Sequence, residues 1–541
     1  MFWLSFFLSF SLLPSLSLYS FLSLLSMTFR KRSLSSSYSS PFRHKKKNIF
    51  RFFLFFVTLF TNIFRPKPVT VSIKKYIIRA FLFSLFAVSL AFFWTEFGRG
   101  AGKTLVKNTF FALGADLPQD ANGLTNILLL GHGGGETHAG KGAKLTDSII
   151  IASLDIEGKS VVMLSVPRDF YVETDHVHGR INEIVREESK YFLRGLKQLP
   201  ENKARLAELS GQKKKEFLWK LDAQADEKAV QVLRKEIENI FDIDIHRTAR
   251  IDFRGFENFV DAIGGIDVFV EKTINDPTYP DYEWGYDPFF LKKGQHHLDG
   301  KTALKYARSR HGSSDFDRAK RQQKILSAIK TRATSLRVLT SPSKIRNILD
   351  VISEYYSSDI SWEEMITLGK FADSLPRTNI ASFVLNDDPS QPGGFLVTPD
   401  RELYGGAFVL VPFLNLEKDK YAQIRAFIRI IFPHRALTHL SPVPITILNG
   451  TKRVGIAGKL MLQLERFGWK IADVGNADDS VQKSVIYYAD TPKAKKTAEL
   501  LRAFFNAEMH TKVFPENAEK IDVVLGTSYT KPYRIPLLSL L

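Results

Sequence analysis

Three uniformly apolar runs lie close together in this chain: TNILLLG from Thr125, DSIIIASLD from Asp147 and KSVVMLSVP from Lys159. Each is short, carries no polar face and is bounded by Gly, Asp or Pro. That is the pattern of a strand buried on both sides, not of an amphipathic helix or a half-exposed strand. Strands of this kind need a sheet covered on both faces. IDVFVEK from Ile266 supplies a fourth strand, and the periodic stretches VQVLRKEIENIF from Val230 and FENFVDAI from Phe256 supply covering helices. The expected fold class is α/β.

The first hundred residues obey a different rule. They contain three apolar stretches, Phe2 to Leu25, Ile49 to Phe64 and Ile77 to Trp94, separated by basic clusters. The last is about long enough to cross a hydrocarbon core, with Trp94 at its outer end and Lys74, Lys75 and Arg79 on its N-terminal side. The positive-inside rule places everything after about Gly98 outside the cytoplasm. The stretch at Ile49 is shorter and contains Arg51, which leaves a second span, a re-entrant piece or a surface helix open. The Phe2 segment contains Pro14 and lacks a basic leader, so it does not read as a signal peptide. Met27, followed by TFRKR, reads as the translation start, and Arg30 to Lys47 as a disordered cytoplasmic tail. The expectation is a cell-membrane protein, single-pass or two-pass, with its globular part extracytoplasmic.

The expected boundaries are 1–76 for the N-terminal region with its extra apolar segment at 49–64, 77–97 for the membrane helix and 98–432 for the main domain. A linker at 433–442, a small α/β domain at 443–530 and a tail at 531–541 follow. At 541 residues the chain has room for this organisation. The formal charge of +18 implies anionic surroundings without choosing between nucleic acid, acidic lipid and anionic polymer. No helix-turn-helix or other nucleic-acid motif is visible, and none of the histidines shows zinc-site spacing. The chain has no cysteine, which excludes thiolate chemistry and disulfides.

Chemistry concentrates in LDGKTALKYARSRHGSSDFDRAKRQQKIL, from Leu298 to Leu326. Here Arg308, Arg310, Arg318 and Arg321 surround Asp315 and Asp317. Planar, permanently charged guanidinium groups match phosphate oxygens two at a time, and alternate positions of an extended segment would point Arg308 and Arg310 to one side. DFDRAKRQQKILSAIKTRA then turns helical, with Ile325, Ala328 and Ile329 as its apolar stripe and the two Asp at its start. Oxygen ligands of that type suit Mg²⁺. A solvated basic helix with surface ion pairs is the competing reading.

The order of motifs resembles the LytR-CpsA-Psr family of envelope glycopolymer transferases from about Asn126 to Gln323. The matching pieces are NILLLG, LTDSIIIASLD with Asp147, SVPRDFYV with Arg168 and Asp169, RIN with Arg180 and Asn182, IDFRGFENFVDAIGGIDVFV, GQHHLDGKTALKYARSR and DFDRAKRQQ. The resemblance implies an α/β/α sandwich with a central mixed sheet and a hydrophobic groove for a polyprenyl chain. It implies Arg168, Asp169, Arg308, Arg310 and Arg318 as catalytic, Arg180, Asn182, Arg321 and Gln322 as substrate-binding, and Asp147, Asp315 and Asp317 as ligands of Mg²⁺ or Mn²⁺. The substrate implied is a polyprenyl-pyrophosphate-linked glycan and the acceptor peptidoglycan. From the residues themselves Asn182 reads first as a helix cap, and Gly264-Gly265 as a structural turn. The terminal unit, with NGT at Asn449 and VVLG near its end, resembles the LytR C-terminal domain and carries no acid-base set.

Two departures from the family stand out. The loop GHGGGETHAGKGAKLTD lacks the Asp and Arg that follow the first strand in relatives, leaving Glu136 or His132 to replace one and Lys141 or Lys144 the other. Residues 186–230 form a charged insert with Leu193, Leu196, Leu206, Leu209, Leu218 and Leu221 facing inward. The alternatives to a transferase are a non-catalytic binder of lipid-linked polymer and the transcriptional attenuator of the family's older label.

Overall fold

The computed structural model describes residues 114–133, 144–280, 285–309, 315–338, 341–413, 419–440, 442–502, 504 and 507–529, all within one compact unit. The apolar stretches of the first hundred residues, Glu136, Lys141, Arg310 and the side chain of Asp315 lie outside the described residues. Among those described, no helix is long and apolar enough to cross a membrane.

The three apolar runs become β1 (Leu124–His132), β2 (Thr146–Asp155) and β3 (Ser160–Val166), the antiparallel centre of a mixed six-stranded sheet. The helices α1 (Ile184–Gln198), α2 (Pro200–Glu208) and α3 (Gly211–Phe241) follow, and then β4 (Arg247–Asp252) joins parallel to β1. The chain continues through α4 (Phe253–Ala262), β5 (Ile266–Val270), β6 (Gly294–Leu298), α5 (Gly300–Arg308), α6 (Asp315–Ser335) and α7 (Pro342–Ile352). β7 (Tyr356–Ser358), α8 (Trp362–Ser374) and β8 (Ile380–Val384) complete the layers, with sheet order β7-β4-β1-β2-β3-β8.

Leu128, Leu130, Ile149, Ile151, Val162 and Leu164 point to one face and pack with α1, α3 and α9 (Ala422–Ile431). Ile127, Ile150, Ala152 and Met163 point to the other and meet Phe371 and Leu375 at the end of α8, with Leu326 of α6 packed alongside. The sheet is therefore covered on both faces, as its uniformly apolar strands require.

IDVFVEK is a strand, but it pairs with Gly294–Leu298 in a separate two-stranded ribbon. Its burial alternates along the strand, so only one face meets apolar side chains. His296 and His297 belong to that ribbon. Gly264 and Gly265 make the expected turn with φ of +73° and +76°, and a Cβ at Gly265 would lie 2.4 Å from His297 Nε2.

The second sheet has order β10-β9-β13-β11-β12 and is built from β9 (Ile445–Asn449), β10 (Ile471–Asn476), β11 (Ser484–Tyr488), β12 (Ala507–Thr511) and β13 (Ile521–Leu525). α10 (Ile456–Arg466) and α11 (Pro492–Arg502) cover it. The segment expected as a plain linker carries Arg435, which is buried and donates to Ser153 O at 2.7 Å, Ser153 Oγ at 2.9 Å and Phe432 O at 2.6 Å. It fastens this segment to β2 and to the end of α9.

Candidate active site

A cavity of about 1010 Å³ opens between the sheet and the helices α4, α6 and α7. Leu129, Ile150 and Ile251 line it from the sheet; Phe256, Phe259, Ile325, Ile329 and Ile352 line it from the helices. Its volume is at the top of the usual ligand-pocket range. The apolar stripe expected on α6 thus faces a cavity as well as a core.

Asp147, Arg168, Arg308, Arg318 and Gln322 also line this cavity. They come from three separate places in the chain. Asp147 lies at the start of β2, beside the end of β1, and Arg168 follows Pro167 at the end of β3, the strand end where open α/β sheets present ligands. Arg168 Nη1 donates to Asp147 Oδ1 at 2.8 Å, and Arg168 Nε to Asp169 Oδ2 at 3.4 Å. The cation and the two carboxylates hold one another in place. Gln322 Oε1 accepts from Ser148 Oγ at 3.0 Å, joining α6 to β2. One residue on, buried Gln323 donates to Ser165 Oγ at 3.0 Å and Phe383 O at 2.8 Å, which fixes α6 against β3 and β8.

Arg308 does not sit in an extended segment. It is the last residue of α5, because Asp299 caps that helix through Thr302 N and the buried Ala303 and Ala307 carry its apolar face to the end. Its guanidinium lies 4.0 Å from the Phe253 ring centroid and donates to Tyr279 Oη at 3.1 Å. Burial pushes the Tyr279 phenol up, against the pull of Arg308, so it stays a neutral partner. Ser309 Oγ donates to buried Asp276 at 2.7 Å. Arg321 spends its guanidinium on the carbonyls of Tyr306 and Ser309. It therefore positions the Arg308 segment instead of lining the cavity, and burial lowers its pKa against the opposing charges of Tyr306, Asp317 and Asp276.

The remaining expected residues fall behind this surface. Asp169 is buried, with Arg168 on one oxygen and Arg180 Nη1 at 3.6 Å from the other. Arg180 also pairs with Glu183 at 2.9 Å. Asn182 is buried inside a 3₁₀ turn and neither caps α1 nor reaches the cavity. Asp317 is half-buried at the start of α6. Among the described residues no group of three acids or histidines is clustered as a metal site. Three carboxylates line the cavity, Asp147, Asp252 and Asp276; Asp252 caps α4 through Gly255 N and Asp276 accepts from Ser309 Oγ, and Asp317 is not among the lining residues.

Lys144 does not replace the missing arginine. Its ammonium is taken by Asp222 at 2.7 Å, Asp226 at 3.5 Å and Ser189 at 3.0 Å, all on the insert. His132 is half-buried with Nδ1 3.2 Å from Gly133 O, and burial followed by the Arg250 charge lowers its pKa. Asp276, Tyr279 and Phe253 were not singled out by sequence reasoning. Phe253 stands inside the IDFRGF block, whereas Asp276 and Tyr279 lie in NDPTYP, which has no periodicity to mark it.

Residues 104–398 match the LytR_cpsA_psr family. The chain belongs to that family. Residues 442–529 match the LytR_C domain, described as LytR cell envelope-related transcriptional attenuator. Among relatives of this LytR-CpsA-Psr chain, the cell wall biosynthesis protein LcpA of Corynebacterium glutamicum is 24% identical over 372 residues, 65% of this chain and 64% of LcpA. The polyisoprenyl-teichoic acid–peptidoglycan teichoic acid transferase TagV of Bacillus subtilis is 30% identical over 236 residues, 43% of this chain and 50% of TagV. The chain thus spans between half and somewhat under two thirds of these relatives' lengths. The crystal structure of B. subtilis TagV, at 22% identity, covers 58% of this chain and 98% of its own with a TM-score of 0.38.

Proposed function

We propose that this protein transfers a glycopolymer from a polyprenyl-pyrophosphate carrier to a hydroxyl of peptidoglycan. One observation carries the reading: a large, mainly apolar cavity bears Asp147, Arg168, Arg308, Arg318 and Gln322 on its wall. An isoprenoid tail needs the apolar walls, and a pyrophosphate needs the convergent guanidinium groups. The acceptor oxygen forms a bond to the phosphorus that carries the glycan, the bridging P–O bond breaks, polyprenyl phosphate leaves and the hydroxyl proton passes to water. Such transfer depends chiefly on positioning and charge stabilisation, which suits a site of fixed arginines without a nucleophilic side chain. Arg168, held by Asp147 and Asp169, and Arg308, held by Tyr279 and Phe253, would stabilise charge on the phosphates. Mg²⁺ or Mn²⁺ bound by Asp147 with Asp315 or Asp317 would neutralise further charge on the leaving phosphate. Arg310 completes the clamp in this reading.

The test is transfer of a lipid-linked glycan to peptidoglycan fragments by the purified chain, with and without Mg²⁺, beside Arg308→Ala and Arg310→Ala. Loss of transfer in the variants supports the site, and unchanged rates sink it. The binder reading draws on Lys144, whose charge the insert consumes where the family resemblance implies a phosphate-facing arginine. Lipid that copurifies with the chain but never turns over would favour it. We place residues 77–97 in the membrane with the later domains outside; a reporter fused after Gly98 and active only in the cytoplasm would reverse that topology.

A further inference from the structure

The insert folds as a helical hairpin whose outer part stands beyond the strand ends that carry Asp147 and Arg168. Asp226 of α3 pairs with Arg250, which is level with Leu130 near the end of β1. Asp222, one turn earlier, takes Lys144 just before β2, and Ser189 of α1 takes the same ammonium. The other end of α3 leads to His246, whose Nδ1 accepts from Asn126 N near the start of β1 at 2.9 Å. So α3 runs along the sheet toward the site end, and at 1.5 Å per residue positions 211–221 continue about 16 Å past it. The last turns of α1 and all of α2 travel with them.

This knob is basic and carries an aromatic surface. Residues 190–221 contain nine Lys and Arg against three Glu. α2 has no buried residue, and Lys213, Lys214 and Lys215 are exposed. The six leucines expected to face inward are mostly half-buried, with Leu221 alone among them fully enclosed. Trp219 is 71% exposed. An exposed indole offers a flat apolar face to the C–H face of a sugar ring, and the ammonium groups offer charge to anions along a chain.

We propose that the knob binds the glycan chain of the lipid-linked substrate beyond its pyrophosphate, and that this glycan bears phosphate or carboxylate groups. The inference rests on the transferase reading and adds the surface that holds the polymer. Residues 115–124 enter the sheet at its other end, where Thr367 of α8 donates to Ala115 O at 2.7 Å. The knob stands beyond the strand ends that carry Asp147 and Arg168, where a glycan leaving the pyrophosphate would pass, and this favours the glycan as its occupant.

The experiment uses the full chain in detergent micelles and a variant with Lys213→Glu, Lys214→Glu and Lys215→Glu. Carboxylates in the first turn of α3 suit the positive end of a helix, so the fold is retained. The probes are poly(glycerol phosphate), neutral dextran, phosphatidylglycerol vesicles and geranylgeranyl pyrophosphate. The unmodified chain should bind poly(glycerol phosphate) and not dextran, the variant at least about tenfold more weakly, with salt abolishing the difference. Trp219→Ala should weaken the same binding. Equal polyanion affinity in both chains overturns the inference, as does a loss confined to the vesicles, which would assign the knob to the membrane surface. Geranylgeranyl pyrophosphate should bind both chains alike; if it binds neither, the transferase reading falls while the polyanion comparison still judges the knob.

Discussion

Two arginines of the site are held in place by their neighbours. Arg168 rests on Asp147 and on buried Asp169, and Arg308 on Tyr279 and the Phe253 ring. Fixed charges of this kind need no reorganisation as a phosphate's charge shifts, which is where their catalytic value lies. Arg168→Ala should lower transfer at least a hundredfold, roughly the cost of losing one preorganised donor, and leave thermal unfolding within a few degrees of the parent. Tyr279→Phe keeps the ring and removes one acceptor of the Arg308 guanidinium. A hydrogen bond to a charged group contributes about 1.5–3 kcal/mol, so substrate affinity should fall on the order of tenfold in a titration, and unchanged affinity would detach Tyr279 from the site. The candidate arginines were readable in the sequence because residue type alone states their chemistry. Tyr279 and Asp276 were not, since nothing local marks a residue whose partner is about thirty positions away.

Among elements, α6 does the most to assemble the cavity. Its Ile325 and Ile329 form wall, its Arg318 and Gln322 reach the polar lining, and Gln323 ties it to β3 and β8. Gln323→Ala would leave buried Ser165 Oγ and Phe383 O with a partner removed, at a cost of about 1–3 kcal/mol measured by denaturant unfolding. The turn before β5 should be as sensitive. Gly265→Ala meets both a positive φ and the His297 ring, and should destabilise the ribbon by more than about 1 kcal/mol. The helical period of α6 was legible because one face is apolar. Its neighbour α5 was misread near Arg308, because a helix end is set by capping and packing more than by the spacing of charges.

For the whole molecule, the family domain and the terminal domain share one continuous apolar core. Phe383, Phe395 and Phe427 belong to the same cluster as Phe467, Trp469 and Ile447. Thermal unfolding should therefore show one cooperative transition, and two separated transitions would refute the shared core. Arg435 ties the segment between the two domains to Ser153 of β2 and to Phe432, with burial pushing its pKa down to about 10. Arg435→Ala strands buried acceptors and should lower the melting temperature by several degrees. Burial is also the main cause lowering the pKa of His132, His434 and His439 from 6.5. The unfolded chain then binds more protons than the folded one below that value. Stability should be constant above about pH 7 and fall as pH drops through 6.5, and a melting series showing the opposite slope would contradict these environments.

The sequence by itself determined the strands and helices that cover the sheet, because burial on two faces or on one stripe is written in local periodicity. It also marked the charged residues, because guanidinium and carboxylate chemistry does not depend on context. Tertiary structure alone decided which of them meet. Arg168, Arg308 and Arg318 reach one cavity while Asp169, Arg180 and Arg321 stand behind it, and Lys144 turns to the insert. Those outcomes rest on contacts between segments far apart in the chain, whose geometry exists only once the sheet has brought the strand ends together.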